Sequence, residues 1–443
     1  MIDLLDAAAH LELHSIAIAR DGHAVARGWW NPYGPDRKHL LYSCSKSVTA
    51  TTIASLVLDG LLALDEPILD RLPPEALDAA GDIAEIWRRV TVRHCLTMTV
   101  GHTADAWAQA IWDADEPLVP LLANPPDAEP GSVFAYNQIA TYLLSRAAEH
   151  VAGSPLDVLA LDRVLGPLGA LDLDWERDRA GHPFGFSGAR VRTDDLHALT
   201  QLWLDGGAAA GRQIVPAGWV EEASRPFLPV EPDPSSDWAQ GYGQSFWIAR
   251  QGYRADGAFG QYGLVLPEQR MTVAITSEVL DMQEPLDLVW EHLLPAVDRP
   301  GSADADARLE QRLAELTIPA LSSAAGPAER RAWPVDPAST VTSAVTRVRV
   351  DTDGTELVLV HDGVEVTVPV GDGVWVDGEI RTDAKGLPVS ASGGWSTDGG
   401  YEAEVRLIET PHSFRVSTGP GGALLSWRLI PLHGDDPLEL ALP

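Results

Sequence analysis

The sequence predicts an α/β fold of the α+β kind, in which an antiparallel sheet is flanked by helices, followed by an all-β region. Within residues 1–297, strand patterns lie near both ends and helical patterns lie between them. Residues 298–335 are rich in Ala, Pro, Asp and Arg, which is typical of a linker, apart from a short helical pattern near Leu309 to Leu316. Residues 336–443 alternate apolar and polar side chains, as strands with one exposed face do. We therefore predict two domains, 1–297 and 336–443, joined by that linker.

The first elements are a hairpin and a helix. Apolar strand patterns lie on both sides of Asp21-Gly22, a dipeptide that favours the tight turn between antiparallel strands. A helix begins at Ser43, because apolar residues follow at helical spacing through Leu62. Another helix begins at Thr193, which we predict as its N-cap because acidic residues fill the next turn.

Strand patterns return late in the first domain, and a helical pattern closes it. The predicted strands are 242–250, 264–266 and 271–276, and the closing helix covers 285–297. Since strands occur at both ends of this domain, the sheet is expected to be built from both.

The second domain shows a regular series of short strands. Residues 346–350, 356–360 and 364–368 alternate with a period of two, and Asp-Gly dipeptides separate them as hairpin turns. This pattern predicts an antiparallel β-sandwich or a small barrel, which we interpret as a stabilising or lid module.

The charge composition of the chain argues against some classes of binding partner. The chain has 64 acidic and 32 basic residues, a formal charge of −32. Such a surface repels phosphate backbones and anionic membranes, so nucleic acid and membrane partners are not expected. The N-terminus has no positive signal region and no apolar stretch approaches the about 20 residues of a membrane span, which favours a cytoplasmic location. Two cysteines, Cys44 and Cys95, do not make a disulfide framework.

The most informative motif is Ser43-x-x-Lys46 at the start of a helix. A spacing of three puts both side chains on one face of the helix, one turn apart. A desolvated, neutral lysine can accept the proton of a serine hydroxyl and activate it as a nucleophile. The simpler alternative is a capping serine followed by a solvated lysine. Lysine is rare in this arginine-rich chain, with three in all, and arginine cannot act as a base, which favours chemistry at Lys46.

Around this pair the chain resembles the class C β-lactamase-like members of the serine β-lactamase and penicillin-binding-protein superfamily. That resemblance implies a β-lactamase/transpeptidase-like sheet flanked by helices, with a helical subdomain. It covers roughly residues 10–297. The matching segments, in the family's order, are 41–50 around the nucleophile, 59–68, 90–102, 130–138 and 211–220.

The family's second motif, Tyr-Ser-Asn or Tyr-Ala-Asn, is read here as Tyr136-Asn137-Gln138. The tyrosine is retained, and the amide role falls to Gln138 or Asn137, which offer the same hydrogen-bonding groups.

The third motif, Lys-Thr-Gly or His-x-Gly on a strand, is read as Ala258-Phe259-Gly260-Gln261. Its cationic residue, which helps hold the carboxylate of β-lactams, is replaced by Ala258. Glycine at Gly260 would let the backbone approach the substrate, with Phe259 beside it.

The resemblance implies a serine hydrolase that cleaves a small ester or amide through an acyl-enzyme on Ser43. Lys46 and Tyr136 would transfer protons, and the backbone N–H groups of Ser43 and Gln261 would form the oxyanion hole. No metal or cofactor is needed. Trp238, Phe246 and Trp247 precede the third motif, so some of them are expected to line an apolar acyl pocket. The oligomeric state is left open.

Other assignments are less well supported. A β-lactamase or D-amino-acid peptidase would use the same machinery, and a non-catalytic relative would bind ligand through the same cleft. The chain has no Gly-x-Ser-x-Gly motif, which argues against an α/β-hydrolase. His10 and His14 have the spacing of a helical metal pair but no neighbouring third ligand in the sequence.

Overall fold

The protein is described by a computed structural model that covers residues 1–324, 331–381, 386–432 and 434–440. Within those residues the main sheet has six antiparallel strands in the order β2-β1-β11-β10-β9-β8, and smaller sheets join β3-β5-β4 and β6-β7. The strands are β1 (Leu13–Arg20), β2 (His23–Trp29), β3 (Lys38–Leu40), β4 (Asp174–Trp175), β5 (Ala189–Arg192), β6 (Ala208–Ala209), β7 (Arg212–Gln213), β8 (Trp247–Ile248), β9 (Tyr253–Gly257), β10 (Gln261–Leu266) and β11 (Met271–Ser277).

Helices cover both faces of the main sheet. One face packs on α1 and α11, where Ile16, Ile18 and Ile275 form an apolar core with Leu4 and Leu286. The other face packs on α2 and α9. The α-helices are α1 (Ile2–Ala7), α2 (Cys44–Leu58), α3 (Pro74–Ala80), α4 (Val92–Leu96), α5 (Gln109–Trp112), α6 (Leu118–Leu122), α7 (Gln138–Ala152), α8 (Leu156–Ala160), α9 (Thr193–Leu204), α10 (Trp219–Ala223), α11 (Gln283–Leu288) and α12 (Ala303–Ala314).

The sheet brings together the two ends of the first 297 residues. β1 pairs with β2 across the Asp21-Gly22 turn, and with β11 in a register that sets Ile16 opposite Ile275. Alternate residues of β1 therefore face opposite helical layers, with Ala17 on the side of α2. This pairing holds β11, and beside it β10 and β9, next to the N-terminus of α2.

Helix α2 is buried along almost its whole length, from Cys44 to Leu56. It packs on α7 and α8 on one side and on β9 on the other. A helix surrounded by protein needs no solvent-facing polar side. Buried serine and threonine hydroxyls of α2 instead donate to carbonyl groups, as Thr51 does to Ser47 and Thr52 to Val48. Its N-terminus is thereby fixed beside β9.

The C-terminal sheets follow one another along the chain. β12 to β15 form one antiparallel meander and β16 to β20 another, and a single apolar core lies between them. A parallel bridge between Val335 and Ala423 joins the ends of the series. The strands are β12 (Arg331–Pro334), β13 (Val345–Val350), β14 (Glu356–His361), β15 (Val364–Pro369), β16 (Val376–Arg381), β17 (Gly386–Trp395), β18 (Tyr401–Leu407), β19 (Ser413–Gly419) and β20 (Gly422–Trp427).

The predicted fold class is confirmed, including the first hairpin, the helix after Ser43 and the alternating C-terminal strands. Helix α2 ends at Leu58, short of the predicted Leu62. The predicted linker contains α12, which packs on β2, and it also contains β12. The domain boundaries stay a prediction. No helix among the residues described above is both long and apolar enough to cross a membrane.

Two predicted elements differ in the structure. The N-cap of α9 is Arg192 rather than Thr193, because the Arg192 N–H and guanidinium both bind the Asp195 carboxylate. The Thr193 hydroxyl instead lies 2.7 Å from Ser15 Oγ. The predicted strand over 242–250 is reduced to β8, and β9 was missed.

Candidate active site

Ser43 is the residue at which α2 begins. The chain enters the helix through Tyr42, whose φ of 47° lies in the left-handed region. Backbone bonds then close the first turn, with the Ser45 N–H donating to Tyr42 O at 3.0 Å and the Lys46 N–H to Ser43 O at 3.0 Å. The Ser43 hydroxyl makes no capping bond to the described N–H groups of this helix, unlike the capping serine of the simpler alternative. It is free to face the lysine one turn later.

Lys46 is buried, and its ammonium group touches the predicted nucleophile. Nζ donates to Ser43 Oγ at 3.1 Å and to the carbonyl of Phe186 at 2.9 Å. It also lies 4.7 Å from the centre of the Tyr136 ring. Burial lowers the pKa of Lys46 to about 7, although the nearby Asp105 carboxylate acts in the opposite direction. A substantial fraction of Lys46 is therefore neutral near pH 7 and able to accept a proton.

Tyr136 is the third predicted catalytic residue, and its ring lies beside Lys46. Its ring stacks on Trp247, with centroids 5.5 Å apart, and meets Tyr242 edge-on at 5.9 Å. Burial raises the pKa of Tyr136 well above 10, and a hydrogen bond with Ser43 only partly offsets this. The phenol therefore keeps its proton at neutral pH, which suits a donor to a leaving group better than a free base.

The two amides after Tyr136 lie at the start of α7. Asn137 is its N-cap, and Asn137 Oδ1 accepts from the N–H groups of Ile139 and Ala106, each at 3.2 Å. Asn137 Nδ2 and Gln138 Oε1 are buried without a partner among the described residues. The oxygen of Asn137 thus holds the loop that carries Tyr136, while one polar atom of each amide remains unpaired.

The residues of the predicted third motif lie mostly in a turn rather than on a strand. Ala258 to Gly260 form the turn between β9 and β10, and Gln261 is already the first residue of β10. Gln261 is fully buried, its amide bonded to Ser277 and to the Ala258 carbonyl and its own carbonyl accepting from Cys44 Sγ. These bonds fix the side chain and the carbonyl of Gln261 inside the sheet, and the role predicted for its backbone N–H stays a prediction.

Phe259 and Gly260 lie in the same turn, between β9 and β10. Both have positive φ, and a Cβ on Gly260 would lie 2.3 Å from Ser277 Oγ. Phe259 is buried and belongs to the core of the C-terminal sheets, with its ring 5.4 Å from that of Tyr42. Both residues shape the turn next to Ser43.

Gly257 is a strand residue that lies against the start of α2, and it was not among the residues predicted from the sequence. A Cβ on Gly257 would lie 2.2 Å from Leu41 O and 3.2 Å from Cys44 N, so the glycine allows β9 to approach the start of α2. The next residue, Ala258, is half-buried at the end of the strand. The Ala255-Asp256-Gly257 triplet, three residues before the predicted motif, was the signal available in the sequence.

An aromatic cavity adjoins Tyr136 on the side of Trp247. It has a volume of about 500 Å³ and is lined mainly by aromatic and aliphatic side chains, with the carboxylate of Glu231 also present. Trp238 and Trp247 line it as predicted, whereas Phe246 is buried and packs on Trp203. Further lining residues are Phe134, Tyr242, Leu228 and Val230.

A family model described as Beta-lactamase matches residues 6–295. The chain belongs to the beta-lactamase family. Within that family, a 6-aminohexanoate-dimer hydrolase from Paenarthrobacter ureafaciens is 26% identical over 229 residues, which are 46% of this chain and 55% of that protein. Esterase EstB from Burkholderia gladioli is 29% identical over 189 residues, 38% of this chain and 46% of that protein. The chain thus spans about half the length of these curated relatives.

A solved structure extends the likeness of this beta-lactamase family chain beyond its first domain. The octameric penicillin-binding protein homologue from Pyrococcus abyssi matches with a TM-score of 0.52 and 17% identity, over 90% of this chain and 96% of that one. At that identity the match establishes the fold, and its coverage reaches into the C-terminal sheets.

Proposed function

We propose that the protein is a serine hydrolase that cleaves small esters or amides through an acyl-enzyme on Ser43. The observation that carries the proposal is the 3.1 Å contact between Lys46 Nζ and Ser43 Oγ at the N-terminus of a buried helix. The pKa of about 7 that burial gives Lys46 supports its use as the base.

In the first step neutral Lys46 takes the proton of Ser43 Oγ, and Oγ forms a bond to the substrate carbonyl carbon. The carbonyl oxygen becomes an anion, for which we propose the backbone N–H groups of Ser43 and Ala258 as donors. Ala258 replaces Gln261 in this role because it follows Gly257, the residue packed on the nucleophile segment.

In the second step the bond to the leaving group breaks. Tyr136 donates its proton to the departing oxygen or nitrogen and regains one from Lys46. Water then attacks the acyl carbon, gives its proton to the same pair, and Ser43 leaves with a proton as the acid is released. The unpaired Asn137 Nδ2 and Gln138 Oε1 are the groups we propose to bind a substrate amide.

The aromatic cavity supports a substrate with an apolar, uncharged acyl or leaving group. The names of the two matched relatives, one an amide hydrolase and one an esterase, support the same two bond types. A β-lactamase or D-amino-acid peptidase remains the alternative on the same machinery, since the family model carries the beta-lactamase description.

The test is covalent labelling with a fluorophosphonate, followed by intact-mass and peptide analysis. We expect one adduct, on Ser43, and hydrolysis of p-nitrophenyl esters that the label abolishes. Ser43→Ala should lose turnover by several powers of ten while keeping its circular dichroism spectrum, since nucleophile loss in a coupled set is this severe. Ester hydrolysis by Ser43→Ala at the wild-type rate would contradict the assignment.

A further inference from the structure

The C-terminal part of the chain contacts the residue next to Ser43. Tyr42, the residue before Ser43, is buried, and its hydroxyl lies 2.5 Å from Nε2 of His412, which stands between β18 and β19. The His412 ring also meets Phe259 edge-on, with centroids 4.8 Å apart. The turn before Ser43 and the turn after β9 therefore share one contact from a distant part of the chain.

Hydrogen-bond partners determine the direction of this contact. Nδ1 of His412 lies 3.1 Å from the carbonyl of Leu429, which can only accept, so Nδ1 carries a proton. In a neutral imidazole Nε2 is then an acceptor, and the Tyr42 hydroxyl donates to it. The N–H of Leu432 donates to the same hydroxyl, and burial keeps the pKa of Tyr42 far above 10, so the phenol is a fixed donor.

The same hairpin also holds the backbone on both sides of the contact. The Leu40 N–H donates to the carbonyl of Glu409 at 2.9 Å, which ties β3 to the tip of the β18–β19 hairpin. The Ser413 hydroxyl donates to Glu278 at 2.8 Å, just past the end of β11. Ser277, the last residue of β11, donates in turn to the carbonyls of Phe259 and Gly260. The hairpin is thus bonded to the segment before Ser43 and, at Glu278, to the residue after the end of β11, the strand that holds the β9–β10 turn.

We propose that His412 is a positioning residue for the proposed nucleophile: it holds Tyr42 in its left-handed conformation, and Tyr42 sets the direction from which Ser43 enters α2. The inference rests on the proposed function and adds to it that the C-terminal sheets belong to the catalytic apparatus. A tyrosine backbone at φ 47° is unfavourable by itself and needs such support from outside the turn.

The test compares variants that remove one hydrogen bond each. Tyr42→Phe keeps the ring and its packing and removes only the donor to His412. We expect kcat and the rate of fluorophosphonate acylation to fall about tenfold, with KM unchanged, because small misplacements of a reacting group cost that much or more. His412→Ala should have the same effect, and the double variant should be no worse than either single one. His412→Gln supplies an amide oxygen to the Tyr42 hydroxyl and should restore part of the rate.

Tyr401→Phe is the matched control. The Tyr401 hydroxyl is also buried and donates to Gly354 O at 2.7 Å, within the C-terminal sheets and away from Ser43. Its loss should lower the unfolding temperature without changing kcat. If Tyr42→Phe keeps the wild-type acylation rate while Ser43→Ala is inactive, the positioning role is overturned and the proposed function stands. Turnover by Ser43→Ala would overturn both.

Discussion

At the scale of single residues, the proposed chemistry depends on one buried lysine. Lys46 is 1% exposed, and its Nζ has a serine hydroxyl, a carbonyl and an aromatic face as neighbours. Burial disfavours the charged form of an amine, and this lowers its pKa. An arginine at the same place would remain charged and could not accept a proton at any physiological pH.

This arrangement predicts a pH profile. Since the proposed mechanism requires neutral Lys46 as the base, kcat/KM for an ester should rise with pH through about 7, the pKa that burial gives it. The rate should then stay level to at least pH 9, because the pKa of Tyr136 is well above 10.

Lys46→Arg keeps the charge and should lose acylation almost completely. Stopped-flow acylation at several pH values measures both effects, and an active Lys46→Arg protein would require a different base.

The sequence predicted Ser43, Lys46 and Tyr136 because each lies in a short local motif, and the structure brings these three side chains together. Gly257 escaped notice because its importance is a through-space approach to Leu41 and Cys44, more than two hundred residues earlier in the chain. Spacing along the chain carries no record of such an approach.

At the scale of elements, the hairpin of β9 and β10 determines how substrate would meet Ser43. β9 was missed because Arg254 and Asp256 interrupt its apolar pattern, although both are buried and pair with each other at 2.8 Å. A buried ion pair inside a sheet resembles a polar loop in the sequence. For the same reason the sequence did not predict that Ala258, Phe259 and Gly260 form the turn after a strand.

Gly257→Ala tests the close approach of these elements. The added Cβ would lie 2.2 Å from the Leu41 carbonyl, so β9 or the start of α2 must move. We expect kcat to fall by about a hundredfold, since a shift of about 1 Å near the reacting atoms costs this much. Gly34→Ala is the control, because a Cβ there meets open space. Equal ester hydrolysis by the two variants would show that β9 is not part of the site.

At the scale of the whole molecule, charge and site composition together favour uncharged substrates. The formal charge is −32, and the last three residues of β9, Ala255-Asp256-Gly257, include no cation. Arg254, earlier on the same strand, is fully buried and paired with Asp256. The alternating pattern after residue 335 predicted the C-terminal sheets, but their contact with Tyr42 joins residues 370 positions apart and could not be read from periodicity.

Substrate comparison tests this preference. A charged hydrogen bond to a carboxylate is worth roughly 1.5–3 kcal/mol, so its absence costs β-lactams about one to two powers of ten in binding. We expect p-nitrophenyl butyrate to exceed nitrocefin in kcat/KM. Measuring kcat/KM at low and high salt separates the effect of the site residues from that of the negative surface charge, because salt screens the surface charge. A preference for nitrocefin would favour the β-lactamase alternative.

Glu278 is expected to make the stability of the protein depend on pH. It is buried where β11 meets the C-terminal sheets, and burial raises its pKa from 4.5 to about 8. Between those values the folded protein binds more protons than the unfolded one, so stability should fall as pH rises. Glu278→Gln should weaken this dependence between pH 5.5 and 8.5, measured as unfolding midpoints, whereas exposed Glu221→Gln should leave it unchanged. An identical pH dependence in Glu278→Gln would assign the effect to other groups.

The bond from Leu40 to Glu409 has a consequence for synthesis of the chain. The segment that presents Ser43 is made early, yet the groups that steady it arrive some 370 residues later. During translation the nascent protein would therefore carry a complete set of reacting side chains in a turn that has not yet settled. In the proposed mechanism, the full rate of hydrolysis would be reached only after residues 409–432 have been synthesised and have docked on the segment before Ser43.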